Sequence, residues 1–174
     1  MARLIQVKVK TKTTGDVAYD DVKRQAKELA RQHVTIGILD PERTYPGSAV
    51  SVGEVAMWQE FGTKPKGKRT PIPARSFLRT PFDVGLPAIN ALKDKLLGRI
   101  MGGTLSVAQG LAILGADGVR RIQTTIKKRI DPPLAPYTLK VRRARGITGT
   151  VPLLATRFLF NSIHFAVRTA KGKR

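Results

Sequence analysis

Few side chains in this sequence are of types that do acid–base or metal chemistry, and their spacing matches no known arrangement of such residues. The two histidines, His33 and His164, are far apart in the chain, and neither has an acidic motif beside it. A catalytic or metal-binding histidine is usually accompanied by a carboxylate or by further ligands. We therefore interpret both histidines as surface or edge residues of the fold.

The carboxylates are also few, and each conspicuous one has a local structural explanation. Asp20 and Asp21 are suited to cap a helix, because a short side-chain oxygen can accept from free backbone N–H groups. Asp40 and Asp131 each precede a proline and are typical of turns. We find no pair of carboxylates that predicts acid–base catalysis.

Two further kinds of site can be considered, phosphate loops and thiol sites. Gly102 and Gly103 precede a helical pattern, but the Walker lysine and the G-x-G-x-x-G spacing are missing, so they indicate a helix break. The absence of cysteine excludes disulfides, thiolate catalysis and cysteine-ligated zinc. We therefore expect no enzymatic activity, no cofactor and no metal.

The strongest compositional feature is positive charge. The chain carries 32 Lys and Arg against 12 Asp and Glu, a formal charge of +20. A charge of this size favours a polyanion or an acidic partner surface, or it stays solvated. Aromatic content is only 6%, and no helix-turn-helix, zinc-finger or RNA-reading signature is present. These absences argue against specific nucleic-acid recognition. Because the excess of positive charge extends over the whole chain, nonspecific DNA contact stays open as an alternative.

Length and hydropathy indicate one folded domain over residues 1–174. The 41% hydrophobic content supports a buried core, and 16 Gly with 11 Pro predict several turns and a sizeable loop. The N-terminus alternates apolar and basic residues, unlike a signal peptide, and no apolar run approaches the roughly 18 residues of a membrane span. We expect no membrane association, synthesis in a reducing cytoplasm, and a flexible tail at about 169–174.

In the first part of the chain, hydrophobic periodicity predicts strand, helix, strand. The alternation that includes Ile5, Val7 and Val9 is typical of a half-buried antiparallel strand. A helix with Val22, Ala26 and Leu29 on one face follows from Asp20 or Asp21 to about His33. A second strand, VTIGIL, covers residues 34–39 and is closed by a proline.

The middle of the chain predicts two helices on either side of a basic loop. Ser51 and Glu54 form an S-x-x-E capping box, and the helix they begin should stop at Gly62. A basic, proline-framed loop occupies about 62–73 and contains Lys64, Lys66, Lys68 and Arg69. A longer amphipathic helix is predicted from Asp83 to about Ile100.

The C-terminal part predicts another helix, a basic turn or short helix, a loop and a closing strand. The helix has an apolar stripe of Ala108, Leu111, Gly115, Val119, Ile122 and Ile126. The strand alternates Ile163, Phe165 and Val167 with more polar residues. The order of elements predicts an α+β fold with a small, mainly antiparallel sheet covered by helices and a long basic loop.

Four segments give the chain a resemblance to a known family. They are MWQEFGTK (57–64), IPARSFLR (72–79), PPLAPYTLK (132–140) and PLLATRFLFNSIHFAV (152–167). In this order they resemble the HEFGT-like, IPARPFLR-like, PLAPSTIK-like and PLIDTGRLRNSI-like segments of the tail-completion or neck proteins of long-tailed double-stranded DNA bacteriophages. The resemblance spans roughly residue 34 to the C-terminus.

The sequence departs from the family pattern at three positions. Ser76 stands where proline is usual, Ala155 where aspartate is usual, and Arg157 where glycine is usual. Because a non-glycine residue disfavours a tight turn, we expect the helix to continue through Arg157.

The resemblance implies a structural virion protein without catalysis. Such a protein forms a homo-oligomeric ring, a hexamer by preference, that completes the tail and joins it to the DNA-filled head. The implied partners are a portal-side adaptor or head-completion protein and a tail terminator or tail tube protein.

Two groups of residues follow from this interpretation. Candidates for contact with a partner or neighbouring subunit are Lys64, Lys66, Lys68, Arg69, Arg75 and Arg79. For Arg75 and Arg79, a solvated or intrachain role stays open as an alternative. The expected core residues of the motifs are Trp58, Phe61, Gly62, Pro73 and Phe77. Trp58 and Phe61 are expected to anchor the helix end in the core.

Overall fold

The computed structural model describes residues 19–65, 71–128 and 130–170. These residues form an α+β fold, as the sequence predicts, with six helices and a two-stranded sheet. The order is α1 (Tyr19–Arg31), β1 (Gln32–Ile38), α2 (Val52–Phe61), α3 (Thr80–Met101), α4 (Val107–Lys127), α5 (Pro136–Ala144), α6 (Phe158–Asn161) and β2 (Ile163–Thr169). The strand predicted around residues 5–9 lies outside the described residues, as does part of the predicted C-terminal tail.

The sheet joins the two ends of the described chain. Strands β1 and β2 are antiparallel, with Gln32 opposite Thr169 and Ile38 opposite Ile163. Both strands were predicted from their hydrophobic patterns, and β1 begins two residues before the predicted start at residue 34. The pairing brings the regions before α2 and after α6 to the same end of the sheet.

Helix α4 packs across the sheet, and small residues allow the close approach. A Cβ placed on Gly115 would lie 2.4 Å from the ring of Phe165 and 2.9 Å from Val34, and one on Gly118 would lie 2.5 Å from Ile36. Real side-chain atoms do not approach this closely, so the helix can lie on the strands only because both positions lack a side chain.

Two groups of buried residues form the core. The larger group joins α2, α4, α6, β2 and the segment before α3, and it comprises Val52, Ala56, Phe77, Ile122, Ile126, Leu159 and Ile163. The smaller group lies where α3 turns into α4 and comprises Leu96, Ile100, Leu105 and Val107. Since α4 contributes to both groups, it is the central element of the fold.

The capping box predicted for α2 is confirmed. Glu54 N donates to Ser51 Oγ at 3.2 Å, and Ser51 N donates to Glu54 Oε2 at 2.9 Å. The helix ends at Phe61, with Gly62 as its C-terminal cap. The start and the end of α2 therefore follow from local sequence.

The two long helices differ from prediction in detail. Helix α3 begins three residues before Asp83, because Pro81 fits the first turn of a helix, where its missing N–H is not needed. In α4, the predicted stripe residue Ala108 is exposed, whereas Gly110 and Gly118 are buried. A second capping box, Ser106 with Gln109, fixes the start of α4 and thereby the face that is buried.

The expectation that a helix continues through Arg157 is wrong. Arg157 has φ 58° and ψ 5°, which is the left-handed conformation, and α6 begins only after it. Thr156 Oγ1 accepts from Phe158 N at 3.3 Å and Arg157 O accepts from Asn161 N at 2.8 Å, so the turn is held by its neighbours. The turn forms even though the residue there is not glycine.

Among the helices of the described ranges, none is both long and apolar enough to cross a membrane.

Candidate interaction site

The side chain of Glu60, in the last turn of α2, accepts three hydrogen bonds from the IPARSFLR segment. Glu60 is 8% exposed. Its Oε2 accepts from Leu78 N at 2.8 Å, and its Oε1 accepts from Ser76 Oγ at 2.6 Å and from Arg79 N at 3.2 Å. The carboxylate therefore holds the chain just before α3, where the positive end of that helix also favours a negative charge.

The base of the basic loop is closed by two hydrogen bonds between Thr63 and Ile72, one of which uses the side chain of Thr63. Thr63 N donates to Ile72 O at 2.9 Å, and Ile72 N donates to Thr63 Oγ1 at 2.8 Å. Gly62 has φ 73°, and a Cβ there would lie 2.9 Å from both Ala74 N and Ile72 O. Only glycine fits this crossing of two chain segments.

The loop itself is described only in part. Lys64 is exposed, as a partner-contact residue must be. The predicted contacts at Lys66, Lys68 and Arg69 lie outside the described residues. The prediction that this loop contacts an acidic partner surface or DNA therefore stays a prediction.

Arg75 is buried and bonded within the molecule, which favours an intrachain role for it over direct contact with a neighbouring subunit. It is 5% exposed, and its guanidinium donates from Nε to Pro132 O at 2.7 Å and from Nη2 to Pro133 O at 3.0 Å. Nη1 donates to Gln59 Oε1 at 3.3 Å. Arg75 thus joins three of the four motif segments inside the molecule.

Arg79 is exposed, and its closest charged partner in the described chain is internal. Its Nε lies 3.5 Å from Asp83 Oδ2, one turn along the start of α3. Both side chains are largely in solvent, where such a pair contributes little to stability. Arg79 is therefore still available to an external partner.

Trp58 and Phe61 do not anchor the end of α2 in the core, so that prediction is wrong. Phe61 is 73% exposed and Trp58 is 37% exposed. Helix α2 instead buries Val52, Ala56 and Glu60, which recur every four residues. Since Phe61 follows Glu60 directly, it points away from the buried face.

Together with Met57, which is 63% exposed, these two aromatic residues form an apolar surface on α2. We refer to Met57, Trp58 and Phe61 as the α2 apolar face. Residues three and four apart lie side by side on a helix, so the three side chains are neighbours.

The remaining motif residues divide between core and surface. Phe77 is completely buried among the larger group of core residues, as predicted. Pro73 is exposed and lines a groove beside Arg75.

That groove, which we call the arginine groove, has a volume of about 1180 Å³ and is lined by residues of all four motif segments. Each segment contributes at least one lining residue: Gln59, Ile72, Arg75, Pro133, Leu134 and Leu159. Segments separated by up to a hundred positions therefore meet at one place. The sequence contains no local pattern that predicts this convergence. The only indication is that the four segments occur in the same order as in the family that they resemble.

Arg142 of α5 is a groove residue that sequence analysis did not single out. Its Nη1 donates to Gly149 O and to Val151 O, both at 3.0 Å, which ties the loop after α5 to the helix. Burial lowers the pKa of Arg142, and burial together with the charge of Arg142 lowers the pKa of Arg75. The two cations therefore repel each other within one groove, although both stay protonated at neutral pH.

The histidines do not meet. His33 and His164 are both exposed, on different strands, and face Arg168 and Gly37 respectively across the sheet. Within residues 19–65, 71–128 and 130–170, no group of three or more His, Asp or Glu residues is placed to bind a metal.

Comparisons with family models, curated proteins and solved structures found no match to this chain.

Proposed function

We propose that this chain is a structural protein of the bacteriophage neck that forms a ring, completes the tail and joins it to the DNA-filled head. The observation that carries the proposal is the convergence of the four family-like segments on the arginine groove. Short matches arising by chance would have no reason to meet in space. Here Glu60 and Arg75 connect three of the four segments by hydrogen bonds, and Leu159 of the fourth segment lines the same groove.

The α2 apolar face supports the ring. Met, Trp and Phe are enriched at protein–protein interfaces, and adjacent exposed residues of these types mark interaction sites. In a closed cyclic ring, one patch on a subunit meets a different patch on its neighbour. We propose that the α2 apolar face is one side of this contact, and we favour six copies on the basis of the resemblance.

The charge supports attachment to acidic surfaces of the adjoining rings. The formal charge is +20, and the described residues contain four ion pairs, two of which share Asp117. Most cations are thus not neutralised by these pairs. We propose that the basic loop and Arg79 contribute to contacts with the head-side and tail-side partners.

A deletion experiment tests this function. Phage particles made without this chain should accumulate as full heads and separate tails, and adding the purified protein should restore joining and infectivity. Normal joining without the chain would contradict the proposal.

A loop variant tests the contribution of charge. Changing Lys64, Lys66, Lys68 and Arg69 together to Ser should reduce restored joining most at low salt, and the difference from the parent should shrink at raised salt, because salt screens charge interactions over about 10 Å at 0.1 M. Equal yields across a salt series would show that the loop does not contribute.

The second candidate is a basic nucleic-acid-binding module without catalysis, which the chain-wide charge favours. It predicts that the protein stays monomeric and binds duplex DNA with an affinity that falls steeply with salt. A gel-shift salt series, with light scattering of the same samples, separates the two candidates.

A further inference from the structure

Among the residues that the structure describes, the lining of the arginine groove includes two cations and no acidic residue. Arg75 and Arg142 both line it, and all the other lining residues are apolar or uncharged. Arg75 is bound only to carbonyl and amide oxygens, which carry no full negative charge. A buried charge is normally paired, so the groove has an uncompensated positive potential.

Arg142 retains unused donors. Its Nη1 bonds to two carbonyl oxygens. Its Nε and Nη2 make no hydrogen bond to another described residue. A guanidinium with one free edge can bind a carboxylate through two parallel hydrogen bonds. Arg75, which is 5% exposed and lines the same groove, adds to the local positive potential.

The walls of the groove suit an extended peptide. Four prolines line it, Pro71, Pro73, Pro132 and Pro133, together with Leu134 and Leu153. Fixed proline backbones lose little freedom when a ligand binds. The volume of about 1180 Å³ exceeds the roughly 300–1,000 Å³ of small-molecule sites.

We infer that the arginine groove binds an extended apolar peptide segment of a partner protein, and that a carboxylate in this segment pairs with Arg142. The inference does not depend on the proposed neck function, because it uses only the charge, the shape and the lining of the groove.

The groove chemistry favours a peptide over a nucleic acid. A phosphate backbone is a chain of solvated charges and binds best to exposed basic surfaces. Here the walls are mostly apolar, and the more buried of the two cations is almost out of solvent. A segment with one carboxylate among apolar side chains matches both properties.

The test begins with a display library of short random peptides, from which the full-length protein selects binders. The selected peptides are then synthesised, and their affinity for the protein is measured by fluorescence anisotropy. Selected peptides should contain Asp or Glu among apolar residues. Replacing that acid by its amide should weaken binding about tenfold or more, as expected for loss of a charge-assisted pair. The Arg142→Gln variant should cause the same loss.

Matched variants separate binding from folding. Arg143 is exposed on the same helix outside the groove, so Arg143→Gln should bind normally. Ala155→Glu places an internal carboxylate in the groove and should block binding, whereas Ala155→Gln should reduce it less. Circular dichroism melting curves check that each variant is folded. If Arg142→Gln does not fold, the loss of peptide binding in Ala155→Glu tests the inference instead.

Several results would overturn the inference. The first is that the selected peptides contain no Asp or Glu. The second is that Ala155→Glu leaves peptide binding unchanged. The third is that the parent protein enriches no peptides over those that the Ala155→Glu protein enriches. The inference also fails if the groove variants remove self-association or duplex DNA binding instead of peptide binding, because the occupant would then be a second copy or a nucleic acid.

Discussion

The backbone N–H of Leu78 donates a 2.8 Å hydrogen bond to Oε2 of the buried side chain of Glu60. This contact joins the end of α2 to the segment that leads into α3, across the whole basic loop. Arg75 continues the connection to Pro132 and Pro133. The stretch between Trp58 and Arg79 is therefore built around two internal polar residues, while its aromatic side chains at positions 58 and 61 remain at the surface.

Replacing Glu60 by Gln should lower the free energy of unfolding by about 2 kcal/mol, because the amide weakens three hydrogen bonds and places N–H groups near other donors. Urea unfolding at neutral pH measures the change. The control is Glu42→Gln at an exposed position, which should stay within about 0.5 kcal/mol of the parent. Equal effects of the two changes would refute the role assigned to Glu60.

Replacing Gly62 by Ala should destabilise the fold by about 2 kcal/mol, because its φ of 73° and the nearby Ala74 and Ile72 atoms leave no place for a Cβ. Gly149→Ala is the matched control, since a Cβ there meets no atom within 4 Å. Thermal unfolding of both variants measures the difference, and an unchanged midpoint for Gly62→Ala would contradict the described crossing.

Prediction from the sequence succeeded where structure is determined locally. The capping box at Ser51, the stop at Gly62 and the alternation in β2 each depend on residues close together in the chain. It failed where burial depends on distant partners. Nothing in MWQEFGTK indicates that Glu60 is buried and Phe61 exposed, because only the position of the IPARSFLR segment determines which face of α2 is covered.

The same limit applies to the charged residues. Arg75 and Arg79 occupy similar positions in one basic segment, yet Arg75 is buried and Arg79 is exposed. The difference arises from the carbonyls of Pro132 and Pro133, which lie more than fifty positions later in the chain. Likewise, Arg142 belongs to a run of basic residues, and only the folded chain shows that it alone among them lines the groove.

Asp117 should make stability dependent on pH in acid. Burial raises its pKa, but hydrogen bonds from Arg121 and Arg120 outweigh burial and leave the pKa below its usual value. A lowered pKa in the folded state stabilises the fold above the unfolded pKa of about 4, and this contribution is lost as pH falls through the folded pKa.

Asp117→Asn should therefore cost about 1.5 kcal/mol at pH 7, and the cost should shrink below about pH 4. Urea midpoints at pH 7 and pH 3 test this, with the exposed Asp94→Asn as control. A difference between Asp117→Asn and the parent that stays constant over this range would show that the ion pairs do not contribute.

Phe61→Glu should impair assembly while leaving the isolated subunit stable to within about 0.5 kcal/mol, because the side chain is 73% exposed. The charge would oppose burial of the α2 apolar face against a neighbour. Joining of heads to tails by the purified variant measures the effect. Tyr19→Glu, at a residue that is 79% exposed on α1, is the control, and equal joining by both variants would exclude this face as a contact.

The central claim, a ring at the head–tail junction, is tested most directly by cryo-electron microscopy of the neck of phage particles that contain this chain. We expect a closed ring of six copies, in which α4 and the two-stranded sheet repeat around the channel and the α2 apolar face is covered by the adjacent subunit. A junction with one or two copies, or particles in which the chain is absent from the junction, would contradict the proposal.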